Sequence, residues 1–483
     1  MQFKVVQKIL GILLALFSFT QVPPLIISWW YSESSITAFL VSFFIIIIIG
    51  MLLWFPVRTQ SGELRLRDGF IVVVAFWLFL GIAGSAPLII ADQTHLSFTD
   101  AAFESLSGLT TTGATVLTGI DYLPRSIQFY RQELQWLGGM GIIVLAVAIL
   151  PVLGIGGMQL YKAETPGPLK DSKLTPRITE TAKALWYIYL SLTTLCATFY
   201  WLAGMGPFDA IAHSFSTVST GGFSTHDASL GFFHNKLIEF IAIIFMIISS
   251  TNFTLHFMVW QNVSLKPYRF DSEFKAFLVL LFSLCLFTCS YLVLKFNHQD
   301  YLTLISDGIF QTVSIATTTG YITAKYHTWP DVLPVLLLFA SFVGACAGST
   351  GGGLKVIRIL LLFRQGLREI RRLIHPNAIM TIKINSRPLD EKVINAIWAF
   401  FATYITVFGL LVLMLMATGM DQVSSFSAIT ACMNNLGPGL GTIRDHYGNL
   451  SVFAKWVLCF AMLLGRLELF TLLVLFSPSF WRK

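Results

Sequence analysis

The residues best suited to chemistry in this chain are four short clusters rich in hydroxyl, amide and glycine groups: Thr110, Thr111, Thr112 and Gly113; Ser219, Thr220, Gly221 and Gly222; Thr317, Thr318, Thr319 and Gly320; and Asn434, Asn435, Leu436 and Gly437. What they offer is oxygen. Extended backbone presents carbonyls that can replace the hydration shell of a monovalent cation, and threonine hydroxyls can add to them. Glycine is needed where such backbone turns with positive φ or meets other loops at an axis. The clusters contain no carboxylate, which argues against a divalent-selective ring.

Spacing ties the four together. Thirteen residues before Gly113, Gly222, Gly320 and Gly437 stand Asp100, Asp209, Asp307 and Ser424, all residue types that cap helix N-termini. About nine residues of helical pattern follow, about 15 Å or half the hydrocarbon core. The negative end of each helix dipole then points toward mid-membrane, which favours a cation. One such cluster is an ordinary turn. Four at a matched offset, each between two hydrophobic runs, predict re-entrant loops that meet on one axis as the filter of a cation pore.

The elements that must position these loops are membrane spans. Of 483 residues, 55% are hydrophobic and 12% charged, with mean hydropathy +0.72, whereas soluble domains carry about 25% charged residues. The composition marks an integral membrane protein. The first run, 9–30, is long enough to span, lacks a small-residue cleavage site, and carries Pro23-Pro24 as an expected kink. It and a second span, 36–56, have no such loop. The chain then repeats span, loop, span: 70–92 and 128–160 around Gly113, 182–204 and 236–260 around Gly222, 274–295 and 332–363 around Gly320, and 393–418 and 452–477 around Gly437. The expected fold is all-α and integral to the membrane, with ten full spans and four half-spans. Two extra N-terminal transmembrane helices (1–69) precede four parallel repeats (70–181, 182–273, 274–392 and 393–483) around a pseudo-fourfold axis. The six cysteines lie in apolar runs without metal-binding spacing and read as core residues.

The net charge of +7 matters through its placement. Lys and Arg collect at both chain ends and in alternate connections, most densely over Arg364–Lys392, while the loops bearing the four clusters are poor in them. By the positive-inside rule both termini are cytoplasmic and the clusters enter from the outer face. The basic stretch is either a lipid-facing collar or a docking surface for a cytosolic partner; nucleic acid is not expected.

The spans that follow the loops are interrupted. In the third repeat the run Gly344, Gly348, Ser349, Thr350, Gly351, Gly352, Gly353 and Lys355 breaks what would be a continuous helix, and backbone freed in this way must line a cavity or be buried in protein. Ile142, Thr251, Ser349 and Arg466 each lie 29 residues past a cluster glycine. The Gly344–Gly353 segment therefore reads as an intramembrane gate beneath the filter, or alternatively as close helix packing through Gly344 and Gly348. It is not a phosphate loop, since its lysine falls one residue late. Arg466, deep in a span, reads as a fixed positive charge at the pore waist or as half of an ion pair whose partner lies on another span, since Glu468 would not face it. His226 and Asp227 either line the outer mouth or play a structural part.

These stretches, together with Arg131–Gly141, Gly221–Asp227, Gly344–Arg358, Asn434–Gly441 and Leu464–Glu468, closely resemble the membrane subunits of bacterial Trk potassium uptake systems, within the Trk/Ktr/HKT superfamily. The resemblance runs end to end and implies a homodimer in the bacterial inner membrane, with one potassium-selective pore per subunit. It also implies an intramembrane loop and an arginine as gate, and control by a cytosolic nucleotide-binding (TrkA-like) ring on the inner face. Potassium is then the transported ion, and no organic cofactor is expected in this chain. Ser219-Thr220 and Thr319 depart from the pattern of relatives without threatening the assignment. The other class considered is a proton- or sodium-coupled potassium symporter, against which the parallel repeats and the lack of a midplane carboxylate weigh. No nucleophile with a base, zinc motif or nucleotide loop points to an enzyme.

Overall fold

A computed structural model describes residues 1–60, 62, 65–141, 178–296, 300–330, 332–378, 380–385 and 387–482. These are mostly helical; the one sheet among them is an antiparallel pair, Lys383–Ile384 with Arg387–Pro388. Hydrocarbon solvent explains the bias. The run Phe43 to Ile49 would favour a strand in water, but backbone in lipid must satisfy its hydrogen bonds internally, and the segment is helical from Ile36 to Trp54. Its Phe44, Ile45, Ile48, Ile49 and Leu52 face outward. Among the described residues six helices are long and apolar enough to cross a membrane: Phe3–Trp30, Ile36–Val57, Arg67–Ile90, Lys183–Leu202, Ser272–Lys295 and Glu391–Met416. Pro23 and Pro24 follow a single 3-10 turn at Phe19–Gln21.

Three of the remaining expected spans, 236–260, 332–363 and 452–477, are not continuous. Lys236–Ser249 and Phe253–Asn262 are bent by 91°, and Val452–Arg466 and Phe470–Phe476 by 110°. Val332–Val343 ends after 12 residues and is followed, twelve residues later, by the amphipathic helix Val356–Ile374. Arg364–Leu373 continues this second helix. The expected 128–160 span is described only as far as Gly141, the helix itself being Arg125–Gly139; Ile142 and the 151–181 connection up to residue 177 lie outside the described residues.

Between the spans sit four buried helices: Phe98–Leu109, Pro207–Val218, Tyr301–Ala316 and Gln422–Met433, of 12, 12, 16 and 12 residues. Their starts correct the expected caps. Ser97 Oγ accepts from Asp100 N (3.2 Å), Asp300 Oδ1 from Leu302 N (3.1 Å) and Asp421 Oδ2 from Ser424 N (3.0 Å), while the second helix starts with Pro207 after Gly206. Asp100, Asp209 and Ser424 are therefore first-turn residues, and Asp307 lies one turn deeper. A carboxylate suits a helix's first turn as well as its cap, because the dipole acts over the whole turn; residue type alone could not separate the two positions.

Candidate functional site

Each buried helix ends four residues before its glycine, at Leu109, Val218, Ala316 and Met433. The chain then does the same thing four times. The residue two before the glycine is left-handed: Thr111 (φ +56°), Thr220 (+53°), Thr318 (+60°) and Asn435 (+53°). The residue after it donates its N–H back five positions, from Thr112 to Ser107 (2.8 Å), Gly221 to Ser216 (2.8 Å), Thr319 to Ser314 (2.9 Å) and Leu436 to Ala431 (2.7 Å). This is a Schellman C-cap with threonine or asparagine where glycine is usual, at about 1 kcal/mol of strain each. Beyond it, Gly113, Gly222, Gly320 and Gly437 have φ of +79°, +80°, +85° and +90°.

The four glycines close a ring. A Cβ on Gly113 would strike the carbonyl oxygen of Gly221, one on Gly222 that of Thr319, one on Gly320 that of Leu436, and one on Gly437 that of Thr112, at 2.6 Å. Each glycine thus lies against the carbonyl that precedes the next repeat's glycine, and the fourth returns to the first. No backbone N–H among the described residues donates to the carbonyls of Thr112, Gly221, Thr319 or Leu436. Side chains brace the ring: Gln135 donates Nε2 to Gly221 O (2.6 Å) and accepts from Phe223 N (3.0 Å), and Tyr447 donates to Gly437 O (2.7 Å). Asn435 Nδ2 donates to Thr112 Oγ1 (2.9 Å), tying the fourth loop to the first.

Beneath the ring lies the broken segment of the third repeat. Gly344 (φ +67°), Gly348 (+71°) and Gly353 (+77°) are left-handed, so these residues are not a packed helix. Gly352 N donates to Thr318 Oγ1 (2.7 Å), and Thr350 Oγ1 donates to Val218 O (3.0 Å) and Ser249 O (3.1 Å). Gly351 is pressed against Thr317 O and Gly352 against Asn434 O. Arg466, the last residue of its helix, donates Nη1 to Thr350 O (3.1 Å) and Thr111 Oγ1 (3.4 Å), donates Nη2 to Gly138 O, and lies over the Trp77 ring at 5.4 Å. The loop and Arg466 together touch the inner ends of all four clusters. Glu468 pairs not with Arg466 but with Arg358, which also lies over Phe400 at 4.3 Å. Buried Lys355 donates Nζ to Gly351 O. Thr251 falls in the break between Ser249 and Phe253.

This arrangement can be set beside known proteins. A model of the TrkH family, described as a cation transport protein, matches residues 35–483. The chain belongs to the TrkH family. Relatives include the TrkH potassium uptake proteins of Vibrio parahaemolyticus, 56% identical over 491 residues, and of Escherichia coli, 53% identical over 485, with full coverage of both chains in each case. The Escherichia coli TrkG protein is 41% identical, covering 99% of both. The crystal structure of the potassium transporter TrkH from Vibrio parahaemolyticus superposes with a TM-score of 0.91 at 54% identity over the whole of both chains. The apolar helices and this membership make the chain an integral membrane protein of a transport family.

Within this TrkH-family chain, several site residues carried no isolated signal in the sequence. Gln135 is one. Arg131 and Glu104 form a buried pair (2.7 Å), with Arg131 also donating to Ser224 O (3.2 Å) and Glu104 accepting from Thr115 Oγ1 and Val116 N (both 2.9 Å). Glu104 and Glu133 are both buried outside the four clusters, which themselves hold no carboxylate. Beyond the second cluster, His226 stacks on Phe232 at 3.5 Å, bonds Asp121 through Nδ1, and sits 3.8 Å from Asp209. Burial pulls its imidazole down, but Asp209 and Asp121 outweigh that and raise it above its ordinary 6.5.

Proposed function

We propose that this chain conducts potassium into the cell through a gated, selective pore in the bacterial inner membrane. The observation that carries the reading is the closed ring of four glycines, each against the carbonyl that precedes the next. Four loops of one backbone shape give carbonyls at one level around one axis, which is how a monovalent cation is stripped of water without a fixed carboxylate. The residues given above for the four clusters are the filter, held by four parallel repeats around a pseudo-fourfold axis. Potassium is proposed because the relatives are named potassium uptake proteins.

The Gly344–Lys355 loop is the gate and Arg466 its fixed charge. Both lie directly under the filter, and a guanidinium there opposes passage of a cation until the loop withdraws. The broken backbone is stable where it is because protein, not lipid, surrounds it. The basic helix Val356–Ile374 leads from the gate to the inner face, where a cytosolic nucleotide-binding subunit would act. We further propose that the chain works as a homodimer with both termini cytoplasmic. Reversal potentials across planar bilayers test the reading. They are expected to follow the potassium gradient and to ignore a proton gradient at fixed potassium; a shift with the proton gradient would mark a coupled symporter instead.

A further inference from the structure

One buried carboxylate holds both stems of the gate loop. Glu273, in the first turn of the Ser272–Lys295 helix and 6% exposed, accepts through a single oxygen from Ala347 N (2.7 Å) on the descending stem and Ile357 N (3.1 Å) on the ascending one. Those are otherwise orphaned donors. Ile357 lies in the first turn of Val356–Ile374, whose N-cap residue Lys355 makes no side-chain cap (φ +77°). The helix that leaves the gate is therefore capped from a different helix, and a carboxylate there is favoured by the dipole as well.

The same helix start is stapled to the cytoplasmic hairpin. Asn385, left-handed at the turn between Lys383–Ile384 and Arg387–Pro388 (φ +46°), accepts at Oδ1 from Ser272 N (2.7 Å) and donates Nδ2 to Asp271 Oδ2 (3.0 Å). Asp271 is in turn the N-cap, accepting from Phe274 N (2.8 Å). The hairpin's contacts, Asp271 and Ser272, immediately precede the latch, so displacement of exposed Asn385 bears on Glu273 through the first turn of its helix.

We infer that Glu273 is the positioning latch of the Gly344–Lys355 loop, and that Asn385 of the hairpin holds that latch in place. The inference rests on the reading of that loop as the gate. Two hydrogen bonds to this buried carboxyl oxygen hold the closed arrangement, and their loss favours the open one.

The test is potassium-driven rubidium flux into proteoliposomes with no partner present, measured for Glu273→Ala, Glu273→Gln, Asn385→Ala and a chain lacking Ser349–Gly351. The deletion raises flux if the loop is the gate, whatever holds it. Glu273→Ala is expected to raise basal flux about tenfold, equivalent to about 1.4 kcal/mol, with the potassium to sodium permeability ratio unchanged. Glu273→Gln keeps an acceptor oxygen and should stay within about threefold of the parent. Asn385→Ala, at an exposed site, should raise flux about threefold and carries the test if Glu273→Ala does not fold. Parental flux in folded Glu273→Ala, or in Asn385→Ala where that variant decides, while the deletion leaks would overturn the latch alone. A deletion that does not leak would overturn the gate reading beneath it.

Discussion

At the glycine ring every repeat ends a helix four residues before its glycine and turns left-handed two residues before it, whereas the described breaks in the spans that follow differ in length or backbone shape. The second repeat breaks over three residues between Ser249 and Phe253, the third over twelve between Val343 and Val356, and the fourth over three that include left-handed Glu468 and Leu469. On the proposed reading, the difference follows from two tasks. Ion selection needs oxygens at one level from every side, so the backbone is repeated while side chains vary from Thr112 to Gly221, Thr319 and Leu436. Closure needs one obstruction per path, so a single repeat is lengthened and the others shaped to receive it.

That contrast can be broken from either side. The largest effect is expected at the ring. Gly222→Ala puts a Cβ against Thr319 O at φ +80°, and should lower potassium flux about a hundredfold or more, since the carbonyl has no free direction in which to yield. Flux near the parent value would show that the ring is not the conducting constriction. Next comes Arg466→Ala, which removes charge-assisted bonds to Thr350 and Gly138 and should raise basal flux about tenfold with selectivity intact. A change in selectivity instead would place Arg466 in the filter's service.

Thr318→Val is a smaller perturbation. It deletes the acceptor for Gly352 N and should shift basal flux about two- to threefold, the worth of one neutral hydrogen bond. The smallest effect lies outside both regions, at His226. Its raised pKa means that the bridge to Asp121 and Asp209 contributes stability fully below pH 6.5, lost as pH rises through the raised value. His226→Gln should flatten that dependence by less than about 1 kcal/mol, because a partly exposed pair is screened. A melting profile with unchanged pH dependence in the variant would assign the effect elsewhere.

Much of this was legible because repetition is a sequence property. The thirteen-residue offset between Asp100 and Gly113, copied at Asp209, Asp307 and Ser424, picked out the four loops, though the true caps lie at Ser97, Asp300 and Asp421. Glycine runs that cannot stay helical in lipid likewise marked the Gly344–Gly353 break before any coordinates. What stayed hidden depends on contacts between distant segments. Gln135 braces Gly221, Glu468 selects Arg358 over Arg466, and Glu273 spans 74 and 84 residues to its two donors. No local pattern distinguishes such residues from other polar groups on a helix.

The most direct test of the central claim is anomalous diffraction from crystals soaked in thallium, a potassium surrogate. The account predicts peaks on the axis enclosed by the carbonyls of Thr112, Gly221, Thr319 and Leu436, above the Gly344–Lys355 loop. Thallium bound only away from that axis, with none inside the ring, would contradict it.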